Sequence, residues 1–271
     1  MKSVIKSFVL GIICLSFTGL MAQESSTPPL FELSYMKTKS SDYLTVETEY
    51  WKKIHQSRIE AGELSAWYLY EVVYPSGTQT DYNYITLNVY GAAADMLKMT
   101  NENLMAHLEK ALPGMAPEEV FDATGASRDL VKTEAFSLLD RFPQGATGKA
   151  TEFLMANYMD VAPGKEQEYV AMEKEVFKKG HAARINAGQM DSWFLGVRQF
   201  PYGTDFGPAF MTVDGYGSFE NIFKSPSEEM MNEAMGAGFD MDRAFDDMDR
   251  LREVKRAELW KLVDFVIAEE L

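Results

Sequence analysis

The sequence predicts an α+β protein made of two copies of one β-α-β-β-α-β unit, and three observations predict it. First, Glu47, Trp51, Lys52, Lys53, His55, Arg58, Ile59, Ala61, Gly62 and Trp67 return 126 positions later as Glu173, Phe177, Lys178, Lys179, His181, Arg184, Ile185, Ala187, Gly188 and Trp193. Pro75, Gly77, Thr78, Tyr90 and Gly91 meet Pro201, Gly203, Thr204, Tyr216 and Gly217 at the same offset. That period is too long for a solenoid repeat, so it marks a duplicated domain. Second, residues 82–90 alternate strictly, with Tyr82, Tyr84, Thr86, Asn88 and Tyr90 on one face and Ile85, Leu87 and Val89 on the other. Period two over such a run is the signature of a strand. Third, Phe121, Asp122, Arg128, Glu134 and Asp140 match Phe245, Asp246, Arg252, Glu258 and Asp264, so the copies correspond to their ends.

The elements follow in order. Phe31 to Lys37 reads as a first strand. Ser41 or Asp42 then caps a helix that runs through Ala61, with Gly62 at the position after the helix, where a left-handed residue is favoured. Lys52, Lys53 and Arg58 suit the negative end of its dipole. Strands are expected at Trp67–Tyr74, ended by Pro75-Ser76-Gly77, and at Tyr82–Tyr90. A helix over Ala92–Leu112, a further turn after Pro117 and a strand over Ala135–Arg141 complete the unit. In the second copy the strands are expected at Phe153–Asp160, Trp193–Phe200, Phe210–Tyr216 and Leu259–Val266. Its first helix follows Pro163-Gly164 and runs through Ala187. Ser225-Pro226-Ser227-Glu228 reads as a capping box with proline at the first helical position, and a further helix is expected from about Asp240 to Lys255.

The domain boundaries expected are a leader over 1–22, one repeat over 23–142 and another over 150–271. A short linker containing Gly145 and Gly148 joins them. The leader has Lys2 and Lys6 before an apolar run from Phe8 to Phe17, then Leu20-Met21-Ala22 as a cleavage site. The run is too short for a membrane span, which needs about 20 residues. The protein is therefore expected to be exported, periplasmic or secreted, and free of the membrane once cleaved. The lipoprotein alternative at Cys14 is poorly served by Gly11-Ile12-Ile13 before it. Cys14 is the only cysteine, so no disulfide and no thiol chemistry are expected in the mature chain. A net charge of −15 has the wrong sign for binding nucleic acid or anionic lipid.

The β-α-β-β-α-β order is the ferredoxin-like split βαβ arrangement, which leaves one sheet face bare of helices. A bare apolar face must find a partner, and two copies in one chain supply it to each other, sheet on sheet. In this order, in the long first helix ending Arg58-Ile59-Glu60-Ala61-Gly62 and Arg184-Ile185-Asn186-Ala187-Gly188, and in the tryptophan opening strand two, the chain resembles the dimeric α+β barrel superfamily in its fused tandem form. The resemblance implies an intramolecular barrel and pockets between a sheet and its helices. It also implies a spread of activities, from cofactor-free oxygenases and isomerases to haem binding through a helical histidine. It is architectural and names no activity for this chain.

His55 and His181 are the candidate catalytic residues, for they share one place on the first helix with Arg58 and Arg184 one turn on. Each could move a proton, or could simply tie the helix to its neighbours. The candidate ligand contacts are Arg58, Arg184, Trp67, Trp193, Thr86, Thr212, Asn88 and Asp214, expected to face a small apolar or aromatic molecule. Arg128 with Glu134 and Arg252 with Glu258 could line an anionic-ligand site, but are expected rather to tie helix two to strand four. Asp240, Asp242, Asp246, Asp247 and Asp249 lack the glycine and distal glutamate of a calcium loop and read as a solvated face. Met230, Met231, Met235, Met241 and Met248 read as adaptable packing. No metal and no cofactor is expected, haem being a weaker alternative. No phosphate loop, nucleophile elbow or zinc-type histidine pair is present in the sequence. A homodimer remains open.

Overall fold

A computed structural model describes residues 29–74, 81–143 and 150–268. The expected leader, the Pro75-Ser76-Gly77 turn and the linker glycines lie outside the described residues. Strand β1 is Leu30–Thr38. Helix α1 begins at Tyr43–Thr45, widens into a π turn over Val46–Trp51 and continues as Lys52–Glu60. Strands β2 (Ala66–Tyr74) and β3 (Tyr84–Tyr90) follow, then α2 (Asn101–Ala111), α3 (Pro117–Ser127) and β4 (Arg128–Phe142). The second repeat gives β5 (Phe153–Val161), then α4 from Glu166–Met172 through a π turn at Glu173–Phe177 to Lys178–Asn186. After it come β6 (Ser192–Phe200), β7 (Phe210–Tyr216), α5 (Glu228–Met235), α6 (Met241–Asp249) and β8 (Arg252–Ile267). Gly62 and Gly188 both stop their helices at φ +69°, a conformation that costs glycine little.

Each repeat forms a four-stranded antiparallel sheet in the order β4-β1-β3-β2 or β8-β5-β7-β6. The two sheets do more than face one another. β2 pairs with β8 and β4 with β6, so all eight strands close into one barrel with the helices outside. The bare faces expected from the sequence become the lumen. Phe31, Leu33, Tyr35, Tyr70, Ile85, Leu87, Phe136, Leu154, Tyr158, Met211, Val213 and Trp260 fill it. Gly196 is required there, since a Cβ at its position would stand 2.8 Å from the Phe31 ring.

At the lumen's centre the equivalent tyrosines Tyr35 and Tyr158 share a hydrogen bond of 3.0 Å across the pseudo-twofold relation of the repeats. Buried charges flank them. Arg198 donates to Glu134 at 2.9 Å, while Tyr82 and Trp260 donate to Glu258 at 2.6 and 3.0 Å. Tyr82 thus departs from the face assigned by alternation. β3 starts at Tyr84, and Tyr82, two residues before the strand, turns inward to the carboxylate.

Three further expectations are corrected. β4 and β8 begin seven residues earlier than expected, at Arg128 and Arg252, so residues read as helix are extended chain. Along one strand, residues six apart are separated by about 20 Å, so Arg128 cannot reach Glu134 nor Arg252 reach Glu258. Instead Arg128 Nε lies 2.8 Å from Glu47, and Arg252 Nη1 3.2 Å from Asp249. The cap of α5 is Ser227, whose Oγ accepts from Met230 N, rather than Ser225. In the acidic run, Asp240 caps α6, Asp247 pairs with Arg250 and Asp249 with Arg252. Met231 and Met235 pack against Gly180, and Met248 is wholly buried.

Candidate functional site

The layer between the first helix of each repeat and the outer sheet face gathers the candidate residues. Glu47 and Glu173 lie in the π turns of the two first helices, and π insertions are frequent at functional positions. From the sheet, β2 and β6 present Trp67 and Trp193. β3 and β7 present Thr86, Asn88 and Tyr90, or Thr212, Asp214 and Tyr216.

In repeat one the His55 ring lies between Trp51 and Trp67, with centroids 6.0 and 5.4 Å away. Its Nδ1 is 3.2 Å from Arg58 Nη1. A guanidinium can only donate, so Nδ1 accepts and the ring is the neutral, Nε2-protonated tautomer. Burial, then the charges of Arg58, Arg128 and His107, holds its pKa well below the usual imidazole value. Arg58 is 1 % exposed, and Glu63 stands 4.0 Å from its Nε. Asn88 donates to Glu32 at 3.2 Å, and Thr86 is buried beside it. Glu47 is pushed up to about 7 by burial, against the pull of Arg128.

In repeat two the same positions sit in a different setting. His181 again stacks on its tryptophan, Trp193, at 5.5 Å, but its side chain is 20 % exposed. Asp214 replaces Asn88, and its Oδ1 lies 3.9 Å from His181 Nδ1. Burial lowers the His181 pKa while Asp214 raises it, and burial raises Asp214 against the pull of His181 and Arg184. Asn157 donates weakly to Thr212 and Asp214, at 3.5 and 3.4 Å. Arg184 reaches outward to the Lys224 carbonyl at 3.3 Å and lies over the Tyr216 ring. Glu173 is pushed up to about 7, chiefly by burial.

The structure therefore brings all ten candidate residues into these two layers, five in each. It adds members that the sequence reading passed over, namely Glu47, Glu173, Tyr90 and Tyr216. Their signal was present, since all four recur between the copies at the common offset.

Several polar atoms in these layers are buried with no hydrogen-bond partner. They recur at matched positions: Trp67 Nε1, Arg58 Nε and Asn88 Oδ1 in one repeat, Trp193 Nε1, Arg184 Nε and Asp214 Oδ1 in the other. Buried polar atoms in native proteins are nearly always satisfied, so a cluster of exceptions calls for an occupant, either water or ligand.

Haem does not suit the first layer. His55 is 8 % exposed and enclosed by two indole rings, leaving no nitrogen at an open wall. Among the described residues no helix is long and apolar enough to cross a membrane.

No family model matches the sequence, and no curated protein matches it. The fold is similar to that of a candidate monooxygenase from Fusobacterium nucleatum, with a TM-score of 0.54 at 12% identity over 90% of this chain and 97% of that one. A candidate monooxygenase from Lactobacillus acidophilus aligns with a TM-score of 0.49 at 12% identity, over 89% and 97% of the two chains. A haem-binding protein from Thermus thermophilus aligns with a TM-score of 0.46 at 10% identity, over 88% and 92%. At such identities the likeness concerns the fold. The fold is an α+β barrel closed within one chain by two tandem ferredoxin-like halves.

Proposed function

We propose that this chain is an exported protein that binds a small aromatic molecule carrying a carbonyl, carboxylate or phenolate oxygen. The ligand would lie between the first helix and the sheet, with the second repeat as the working site. The observation that carries this reading is the matched set of buried donors without partners. In repeat two these are the indole N–H of Trp193 and the Nε–H of Arg184. Two unpartnered donors in one layer suit an acceptor oxygen, and Trp193, Phe177 and Tyr216 belong to the apolar cluster beside them. Export is supported by the charged, apolar and small-residue order of positions 1–22, and an N-terminus at Gln23 in protein recovered from its host is the expected result.

A second reading is a cofactor-free oxygenase, isomerase or cyclase, favoured by the His181–Asp214 approach. His181 would take a proton from a bound phenol or enol, and Arg184 would hold the resulting anion.

Native mass spectrometry of protein purified from its own host tests the binding reading. A retained small molecule is expected, lost in Trp193→Phe and Arg184→Met but kept in Trp67→Phe. Recovery of ligand-free protein that also fails to bind any hydroxylated or carboxylated aromatic, followed by indole fluorescence, would overturn it. If ligand binds and His181→Ala leaves it chemically unchanged exactly as the wild type does, the catalytic reading falls alone. A Soret band in the host-purified protein would replace both readings with haem binding.

A further inference from the structure

Outside the His55 layer, repeat one holds a second buried constellation. Ser57 Oγ on α1 is 2.9 Å from His107 Nδ1 on α2, and His107 Nε2 is 3.0 Å from Glu63 Oε2 in the turn after α1. Ser57 and His107 are 3 % and 8 % exposed. The carboxylate can only accept, so His107 carries its proton on Nε2 and presents a lone pair at Nδ1 to the serine hydroxyl. A nucleophile held by a base, with the base held by a carboxylate, is the chain of contacts that activates serine on unrelated folds, here with the two ring nitrogens exchanged. Ser57 also borders a crevice of about 200 Å³ between α1 and α2, whose other walls include Lys53, Lys110 and Ala111.

Repeat two lacks the whole set. Ala183 stands for Ser57 and Gln189 for Glu63 at the common offset. Counting from the matched helix caps Thr100 and Ser227, Ala234 stands for His107. The second helix of that repeat packs against the first without any such tie, so the fold has no need of this trio.

We propose that Ser57, His107 and Glu63 form a serine acyl-transfer site for short-chain esters, adjoining the His55 layer through Glu63, which also lies 4.0 Å from Arg58 Nε. Ser57 Oγ attacks the ester carbonyl carbon as its proton passes to His107 Nδ1. The carbon–oxygen bond to the leaving alcohol then breaks, and that alcohol departs with the proton from His107. Water attacks the acyl-serine, giving a proton to His107, which returns it to Oγ as the carboxylic acid leaves. Glu63 is a positioning residue that fixes the imidazole tautomer. Lys53 and Lys110 border the crevice as ion pairs, with Glu49 at 3.2 Å and with the further wall residue Glu60 at 2.8 Å. The crevice volume limits the acyl group to a few carbons.

The test is p-nitrophenyl acetate with the full chain, read by burst kinetics and by peptide mapping of the acetylated protein. One acetyl group on Ser57 is expected, absent in Ser57→Ala. Glu63→Gln should lower the acylation rate at saturation by about tenfold or more with KM little changed, an effect beyond a structural tie. Ser57→Ala removes a single oxygen, and an unchanged melting curve shows that it folds. If folded wild-type protein acquires no acetyl group on Ser57, or if lysines are acetylated equally in wild type and Ser57→Ala with no burst in either, the proposal is wrong.

Discussion

His55 and His181 occupy one position on one helix, each stacked on the tryptophan that opens the next strand, yet their surroundings have diverged. Around His55 the layer is sealed. Ile54 is fully buried, Arg58 turns inward, and His107 closes the gap to α2. Around His181, glycine replaces Ile54 at position 180, methionine tips fill the space, and Arg184 turns out toward the Lys224 carbonyl. Asp214 in place of Asn88 gives the less deeply buried histidine a carboxylate neighbour. Retention of the same residue type in both copies therefore says where a side chain points, while its neighbours decide whether it is packing or chemistry.

The sharpest way to break this comparison is at the arginines. Arg58→Ala removes a buried charge from between His55 and Glu63 and should cost about 3–5 kcal/mol in urea unfolding. Arg184→Ala, at a partly exposed position whose guanidinium reaches a backbone carbonyl rather than a carboxylate, should cost about 1 kcal/mol or less. Equal losses would contradict the sealed and open assignment.

Next comes pH. Glu47, held near 7 in the folded chain against 4.5 as its ordinary value, is favoured in its neutral form. Its contribution is complete below pH 4.5 and is lost as pH rises through about 7. The stability difference between Glu47→Gln and wild type should therefore move toward the variant by up to about 3 kcal/mol between pH 4 and pH 8. A move in the other direction would mean that the Arg128 pair keeps Glu47 ionised.

A smaller effect is expected at the helix crossing. Gly180→Ala places a Cβ 3.1 Å from the flexible end of Met231, and alanine favours the helix, so a gain of up to about 1 kcal/mol is expected. Ile54→Ala at the matching site should cost about 2–5 kcal/mol. The smallest difference concerns the histidines themselves. In an NMR titration His181 should protonate at higher pH than His55, because Asp214 favours its cation while Arg58 and Arg128 oppose that of His55.

Much of the fold was legible because duplication doubles every signal. The helix stop at Gly62 was read with its twin at Gly188, and the alternation of β3 put Ile85, Leu87 and Val89 on one face, which the closed barrel turns to the lumen. The early parts of β4 and β8 were not legible. Arg128 to Lys132 mixes charged and exposed apolar residues with no clean alternation, and only pairing with β1 keeps that stretch extended. The π turns escaped for a similar reason, since a one-residue widening barely alters a helical pattern. The candidate residues of the helix–sheet layers were found through their recurrence. Ser57, Glu63 and His107 were missed by the same route, because they are marked by differing from Ala183, Gln189 and Ala234.

Closure of the barrel through β2–β8 and β4–β6 carries an evolutionary consequence. Where two identical subunits meet, every substitution is made twice, and neither half can change alone. Here both halves lie on a single gene, so one can lose a carboxylate or gain a serine while the other keeps its ancestral form. The shared lumen still obliges them to fit together, which leaves the outer layers as the ground on which the halves are free to specialise.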